Sequence, residues 1–182
     1  IGAVPWLWPQ LRCPVYCTAF TAALLEHKLA EHALEDEVEI NVLPLGSSFK
    51  VGGFDLRFVN LTHSIPEPQG LLITTPSGRV FHSGDWKIDS RTIFSQPFDK
   101  AALREIGDRG VDVLVCDSTN VLREGFSPSE SDVAETLMRI VSEAKGRVAI
   151  TTFPSHVERI SSAVRAARAA GREVVLAGRA MH

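Results

Sequence analysis

The apolar residues of this chain fall into short β-type runs that alternate with stretches of helical period, which predicts a mixed α/β protein. Residues 14–18 read as a strand. Residues 20–34 read as a helix, with Phe20, Ala23, Leu24 and His27 at i, i+3, i+4 and i+7 as its expected core face. Residues 38–43 form the next strand. FKVGGFDLRFVN reads as a hairpin, in which Gly52-Gly53 supplies the turn and Phe54, Leu56 and Phe58 alternate toward one face. LLITT and RVFHS form a second hairpin around Pro76-Ser77-Gly78. A short helix follows over residues 99–106. VDVLVCD then reads as a strand buried on both faces.

After Asn120 the texture changes. Ser127-Pro128-Ser129-Glu130 places Ser127 at an N-cap, Pro128 at the first helical position and Glu130 three residues after the cap, so a helix to about Ala144 is expected. RVAITT is a buried-type strand. Ser155-His156-Val157-Glu158 is a second capping box, opening a helix that ends near Gly171, and EVVLAG is a last strand. This alternation implies a parallel sheet, and a domain boundary is expected near Asn120. Neither an internal repeat nor a flexible linker is visible.

Composition narrows the class. Hydrophobic residues make up 45% of the 182 and charged residues 23%, which suits a globular fold and argues against disorder. No apolar run approaches the roughly 18 residues that cross a membrane. The opening IGAVPWLWPQLR has two prolines and no basic leader, so it does not read as a signal peptide. The net charge of -3 speaks against a self-contained nucleic-acid-binding module, but leaves room for an enzyme with a local groove. Cys13, Cys17 and Cys116 lack disulfide-like or zinc-clip spacing and are expected to be buried thiols in a reducing compartment. The chain starts at Ile1 and stops at GRAMH, so both ends are expected to be cuts in a longer protein.

Three places could carry chemistry. His63 in NLTHSIPE follows an alternating strand, where a loop can aim a ligand; alone, it reads as a generic loop histidine. Asp85 in FHSGDWK follows a Ser-Gly turn after an apolar strand. A carboxylate there can bridge two cations, one per oxygen, but alone it is an ordinary turn aspartate. His82 points away from Phe81 and Ser83 and reads as a packed histidine or one supporting a ligand. Asp117 in VLVCDSTN ends a strand at the usual site edge of α/β sheets, and reads equally as a helix or turn cap.

Taken in order, NLTHSIPE, FHSGDWKID and DSTNVLREGFSPSE resemble the ribonuclease J family, the β-CASP branch of the metallo-β-lactamase superfamily. IGAVPWLW resembles the stretch just after that family's His-x-His-x-Asp-His segment. VAITTFPSHVERI and VVLAGRAM resemble the start of its β-CASP domain. The resemblance covers essentially the whole chain. It implies a partial metallo-β-lactamase αβ/βα sandwich over residues 1–120, followed by the beginning of a β-CASP α/β domain over residues 121–182. It also implies that His63 is a metal ligand, that Asp85 bridges two metals, and that Asp117 supports the cluster's ligands. Ser64 would lie near the scissile phosphate. Two zinc ions are implied, with manganese as an alternative, because paired metals can activate water and neutralise phosphate charge. The implied partner is RNA, cut internally and from the 5′ end, by a cytoplasmic and usually oligomeric enzyme.

The departure from the family is large. This chain has no His-x-His-x-Asp-His segment, and of the metal ligands only His63 and Asp85 are present. These 182 residues are therefore expected to bind metal weakly or not at all, and to be inactive alone. A second hypothesis concerns TTFPSHVER. There Thr152, Ser155 and His156 stand near a helix N-terminus, which attracts phosphate; simple capping by Ser155 and a surface His156 is the plain alternative. His27 and His32 are expected to be packed or solvated. Arg165, Arg168 and Arg172 read as a solvated helix face favoured by the helix dipole. Two competing readings remain: another metallo-β-lactamase-fold hydrolase, and a non-catalytic RNA-binding or assembly module.

Overall fold

The computed structural model describes residues 1–93 and 95–178. It shows a mixed α/β protein built on a mostly antiparallel sheet. Helix α1 (Val4–Leu11) leads into strand β1 (Val15–Cys17), helix α2 (Ala19–Ala30) and strand β2 (Ile40–Val42). Strands β3 (Ser48–Val51), β4 (Phe54–Asn60), β5 (Gln69–Thr75) and β6 (Gly78–His82) follow. After them come helix α3 (Lys100–Arg109), strand β7 (Val113–Val115), and helices α4 (Glu130–Glu143) and α5 (Val157–Ala169).

Both expected hairpins form. Val51 pairs with Phe54 across Gly52-Gly53, and Thr75 pairs with Gly78. The sheet order is β3-β4-β5-β6-β7, antiparallel except for the parallel β6–β7 pair. Because strand side chains alternate, each face has its own partner. Val59, Leu72 and Phe81 meet Ala102 and Ile106 of α3, whose first turn is capped by Asp99 Oδ1 accepting from Ala102 N at 2.9 Å. On the other face, Phe58 and Phe49 stack toward Tyr16 of β1, with ring centroids 5.1 and 5.5 Å apart. Each fully buried Leu or Phe contributes about 1.5–3 kcal/mol. Gly70 permits the close approach at the centre of this core, since a Cβ there would stand 2.7 Å from the Phe81 ring.

Several expectations are corrected. Helix α1 was not expected as an element: it is only two turns long and carries Pro5 and Pro9, and Val4 and Trp8 pack it onto α2. Helix α2 buries Ala22, Leu25 and Leu29 rather than Phe20, Ala23, Leu24 and His27. AFTAALLEHKLA is apolar on more than one side, so packing against Val38, Val4 and Trp8 chose the face. Strand β7 is an edge, not a doubly buried strand: Val113, Leu114 and Val115 are 50, 60 and 44% exposed. Residues 147–152 and 173–178 form no strand, so the parallel sheet expected after Asn120 is absent among the described residues. A strand needs a neighbour's N–H and C=O groups, and apolar composition cannot supply them.

The helix caps also differ. The N-cap of α4 is Ser129, boxed with Asp132, not Ser127 with Glu130. The N-cap of α5 is His156, which makes no side-chain cap bond; Ser155 is exposed. Glu158 turns inward instead, accepting from Ser95 N at 2.9 Å and Ile93 N at 3.3 Å. Arg172 is not merely solvated: it donates to the carbonyls of Ala144 and Gly146, beyond the end of α4. Cys17 is buried and Cys116 half-buried, but Cys13 is exposed; all three are free thiols.

Candidate active site

Strand polarity brings the candidate residues together. Strand β4 is antiparallel to β5, β5 to β6, and β6 is parallel to β7, so β4, β6 and β7 end at one edge of the sheet. His63 follows β4 by three residues, Asp85 follows β6 by three, and Asp117 follows β7 by two. Cross-bonds tie these ends: Asp117 N donates to Ser83 Oγ at 3.1 Å, and Trp86 Nε1 donates to the Asp117 carbonyl at 3.1 Å. Gly84, at φ +61°, makes the turn before the exposed Asp85, and its N–H donates to His82 Nδ1 at 3.0 Å. His82 is thus exposed rather than packed, and it shapes the turn. Ser64 Oγ lies 3.2 Å from His63 Nδ1.

Asp117 is also the turn cap that the sequence left open. Its Oδ1 accepts from Thr119 Oγ1 at 2.6 Å and Thr119 N at 3.0 Å. Those bonds, the hydroxyl first, hold its carboxyl below the usual range, and the charge of His63 acts the same way. An imidazole and a carboxylate suit zinc or manganese. Yet a tetrahedral site needs more than two donors, and no group of three or more His, Cys, Asp or Glu is placed to hold an ion among the described residues. The donor set of this chain therefore does not by itself fit a metal pair.

The loop bearing His63 is pinned at both ends. Thr62, 1% exposed, forms an isolated bridge with Lys87: Lys87 N donates to the Thr62 carbonyl at 2.7 Å, and Thr62 Oγ1 donates to the Lys87 carbonyl. Thr62 Oγ1 also accepts from Asp89 N at 3.1 Å. At the other end Glu67, at φ +59°, accepts from Phe20 N at 2.9 Å. That bond satisfies a donor in the first turn of α2, which Thr18 leaves uncapped.

Behind the loops lies a buried ion cluster that the sequence did not signal. Asp89 accepts from Ser129 Oγ at 2.7 Å, and from Glu130 N and Arg91 N at 2.9 Å each. Glu130, 5% exposed, receives Arg159 in a fork at 2.9 and 3.0 Å. Lys87 Nζ stands 3.4 Å from both carboxylates, and His156 Nε2 stands 3.3 Å from Glu130. His156, expected near RNA, is turned inward onto a carboxylate. No sequence signal announces this cluster, because Lys87, Asp89, Glu130, His156 and Arg159 lie on segments far apart and amphipathic patterning treats each charge as a surface residue.

Burial alone raises the carboxyls of Asp89 and Glu130. It is outweighed at Asp89 by bonds from Ser129, Glu130 and Arg91, and at Glu130 by Arg159, His156 and Lys87, so both carboxyls sit below their usual range. His156 is also lowered, by burial first and then by Arg159 and Lys87, against the pull of Glu130. Its Nδ1 is buried without a partner, which suits an unprotonated nitrogen.

All three shifts act in one direction on stability. The unfolded chain takes up protons before the folded one does, so stability is complete above about pH 6.5 and falls as His156 of the unfolded state is protonated. It falls again below about pH 4 as the unfolded carboxyls are protonated. Urea unfolding across this range is expected to show both steps, with the upper one lost in His156→Gln. A flat profile down to about pH 5 would contradict the burial of a neutral His156.

Comparison with known proteins identifies the family of the fold. Residues 7–176 match the beta-lactamase superfamily domain. The chain is 50% identical over 180 residues to ribonuclease J of Sinorhizobium meliloti, covering 99% of this chain and 32% of that protein. It is 45% identical to ribonuclease J of Corynebacterium glutamicum, covering all of this chain and 25% of that protein. For ribonuclease J of Thermus thermophilus the identity is 37%, with all of this chain and 33% of the relative covered. The chain thus spans a quarter to a third of the length of these relatives. A solved structure of a protein of unknown function from Enterococcus faecalis shares the fold, with TM-score 0.62 and 19% identity over 84% of this chain and 39% of that one. No described helix is long and apolar enough to cross a membrane. On this evidence the chain belongs to the beta-lactamase superfamily and, along its whole length, is similar to the proteins named ribonuclease J.

Proposed function

We propose that this chain is part of a metal-dependent ribonuclease that hydrolyses RNA phosphodiester bonds, internally and from the 5′ end. The observation that carries the reading is the convergence of His63, Asp85 and Asp117 on one sheet edge, at the ends of β4, β6 and β7. In this reading His63 and Asp85 are metal donors, and Asp117 orients the ligands around them. Ser64 and Ser155 are the side chains nearest RNA. Zinc is the first candidate cation and manganese the second. The chain divides near residue 120, and the intact protein is a cytoplasmic homo-oligomer. Two donors do not complete a site, so residues 1–182 alone are inactive.

The test is metal removal from the full-length protein that carries these residues, with a labelled RNA oligonucleotide as substrate. Hydrolysis is expected to vanish after dialysis against a chelator and to return when zinc or manganese is added. Chelator-insensitive cleavage, no cleavage by the untreated protein, or cleavage by residues 1–182 alone would each sink part of the reading.

A further inference from the structure

The cluster behind the loops links two parts of the chain that are far apart in sequence. Asp85 lies between Ser83, which holds Asp117, and Lys87, which holds Thr62 and Glu130. Thr62 directly precedes His63. Asp89 accepts the first N–H of α4 and the hydroxyl of its N-cap Ser129, while Arg159 of α5 grips both oxygens of Glu130. Arg91 adds an outer ion pair to Asp132 in the first turn of α4. Helices α4 and α5 contribute none of the three candidate site residues, yet residues 87–91 are bonded to Thr62, to Pro128 and Ser129 just before α4 and to its first turn, and α5 reaches them through Arg159 on Glu130.

We propose that Arg159 and Glu130, with Asp89 and Lys87, form a positioning device through which α4 and α5 hold the Asp85 and His63 loops in register. Its bearing on hydrolysis rests on the site proposed above. The physical basis is the contrast between the two parts. Asp85 sits on an exposed turn with few restraints of its own, whereas Asp89 and Glu130 are 4 and 5% exposed and multiply bonded. A buried carboxylate gripped by a planar guanidinium fork resists displacement, because each lost bond leaves a desolvated charge. Arg159 matters more than a lysine would, since only the fork engages both oxygens of Glu130. The bridge through Thr62 then transmits the restraint from residues 87–89 to His63.

Arg159→Met and Arg159→Lys in the full-length protein test this. Hydrogen exchange read by mass spectrometry is expected to speed up at least tenfold in peptides covering residues 60–66 and 84–91 of Arg159→Met, and to stay unchanged across the β3–β4 hairpin. On an RNA oligonucleotide, kcat is expected to fall at least tenfold with KM within twofold, because a displaced loop binds substrate but misplaces the reacting groups. Arg159→Lys, which keeps the charge and folds if Arg159→Met does not, should recover part of both changes. Unchanged exchange in the two loops overturns the proposal. Accelerated exchange with unaltered kcat overturns its catalytic half. If the unsubstituted protein cleaves no RNA, the ribonuclease reading falls while the exchange arm still decides whether α4 and α5 hold the loops.

Discussion

Asp85→Asn is expected to lower kcat/KM for RNA hydrolysis by more than about 100-fold in the full-length protein, with almost no change in stability. Losing an outer partner of a metal ligand costs about 10–100-fold, and loss of a bridging donor itself should exceed that. A hundredfold loss corresponds to about 2.7 kcal/mol of transition-state stabilisation. Asp85 is exposed, and the substitution keeps its size, so unfolding free energy should stay within about 0.5 kcal/mol. The combination is diagnostic, because a carboxylate that merely shapes a turn would leave hydrolysis intact. Steady-state kinetics alongside urea unfolding make the comparison. Activity within threefold of the parent would remove Asp85 from the site.

Glu130→Gln is expected to do the reverse, lowering stability by about 3 kcal/mol. Removing one partner of a buried ion pair costs about 3–5 kcal/mol, because the remaining charge stays desolvated. Here Arg159 and Lys87 keep 29 and 23% side-chain exposure, so water recovers part of the loss and the low end applies. For a domain of this size, that lowers Tm by about 6–12 °C. The double variant Glu130→Gln/Arg159→Met should cost less than the two single changes added, because the partners no longer face each other unpaired. Strict additivity would show that Arg159 and Glu130 do not act as a pair.

Much of the first half of the chain was readable from its pattern. Hairpins declare themselves locally: Gly52-Gly53 and Pro76-Ser77-Gly78 sit between alternating runs, and both hairpins form. The three candidate residues were readable for a related reason, since each follows a strand by two or three residues in a distinctive segment. What could not be read was any feature whose partner is distant in sequence. The capping-box pattern pointed to Ser127, whereas the cap is Ser129, whose hydroxyl donates to the carboxylate of Asp89, 40 residues away. Glu130 reads as the end of a capping box; its burial depends on Arg159, 29 residues further on.

The strand expectations that failed did so on the same ground. RVAITT and EVVLAG have the composition of strands, but a strand is defined by a neighbour's hydrogen bonds. Sequence by itself determined most of the elements whose hydrogen bonds close locally, α1 excepted, the turns of both hairpins, and the places where His63, Asp85 and Asp117 stand at strand ends. Tertiary structure alone decided which side of α2 is buried, that β7 is an exposed edge, and that Lys87, Asp89, Glu130 and Arg159 meet out of water. The division follows from range. Periodicity and turn chemistry act within a few residues, whereas burial and charge pairing are properties of groups that meet only once the chain has folded.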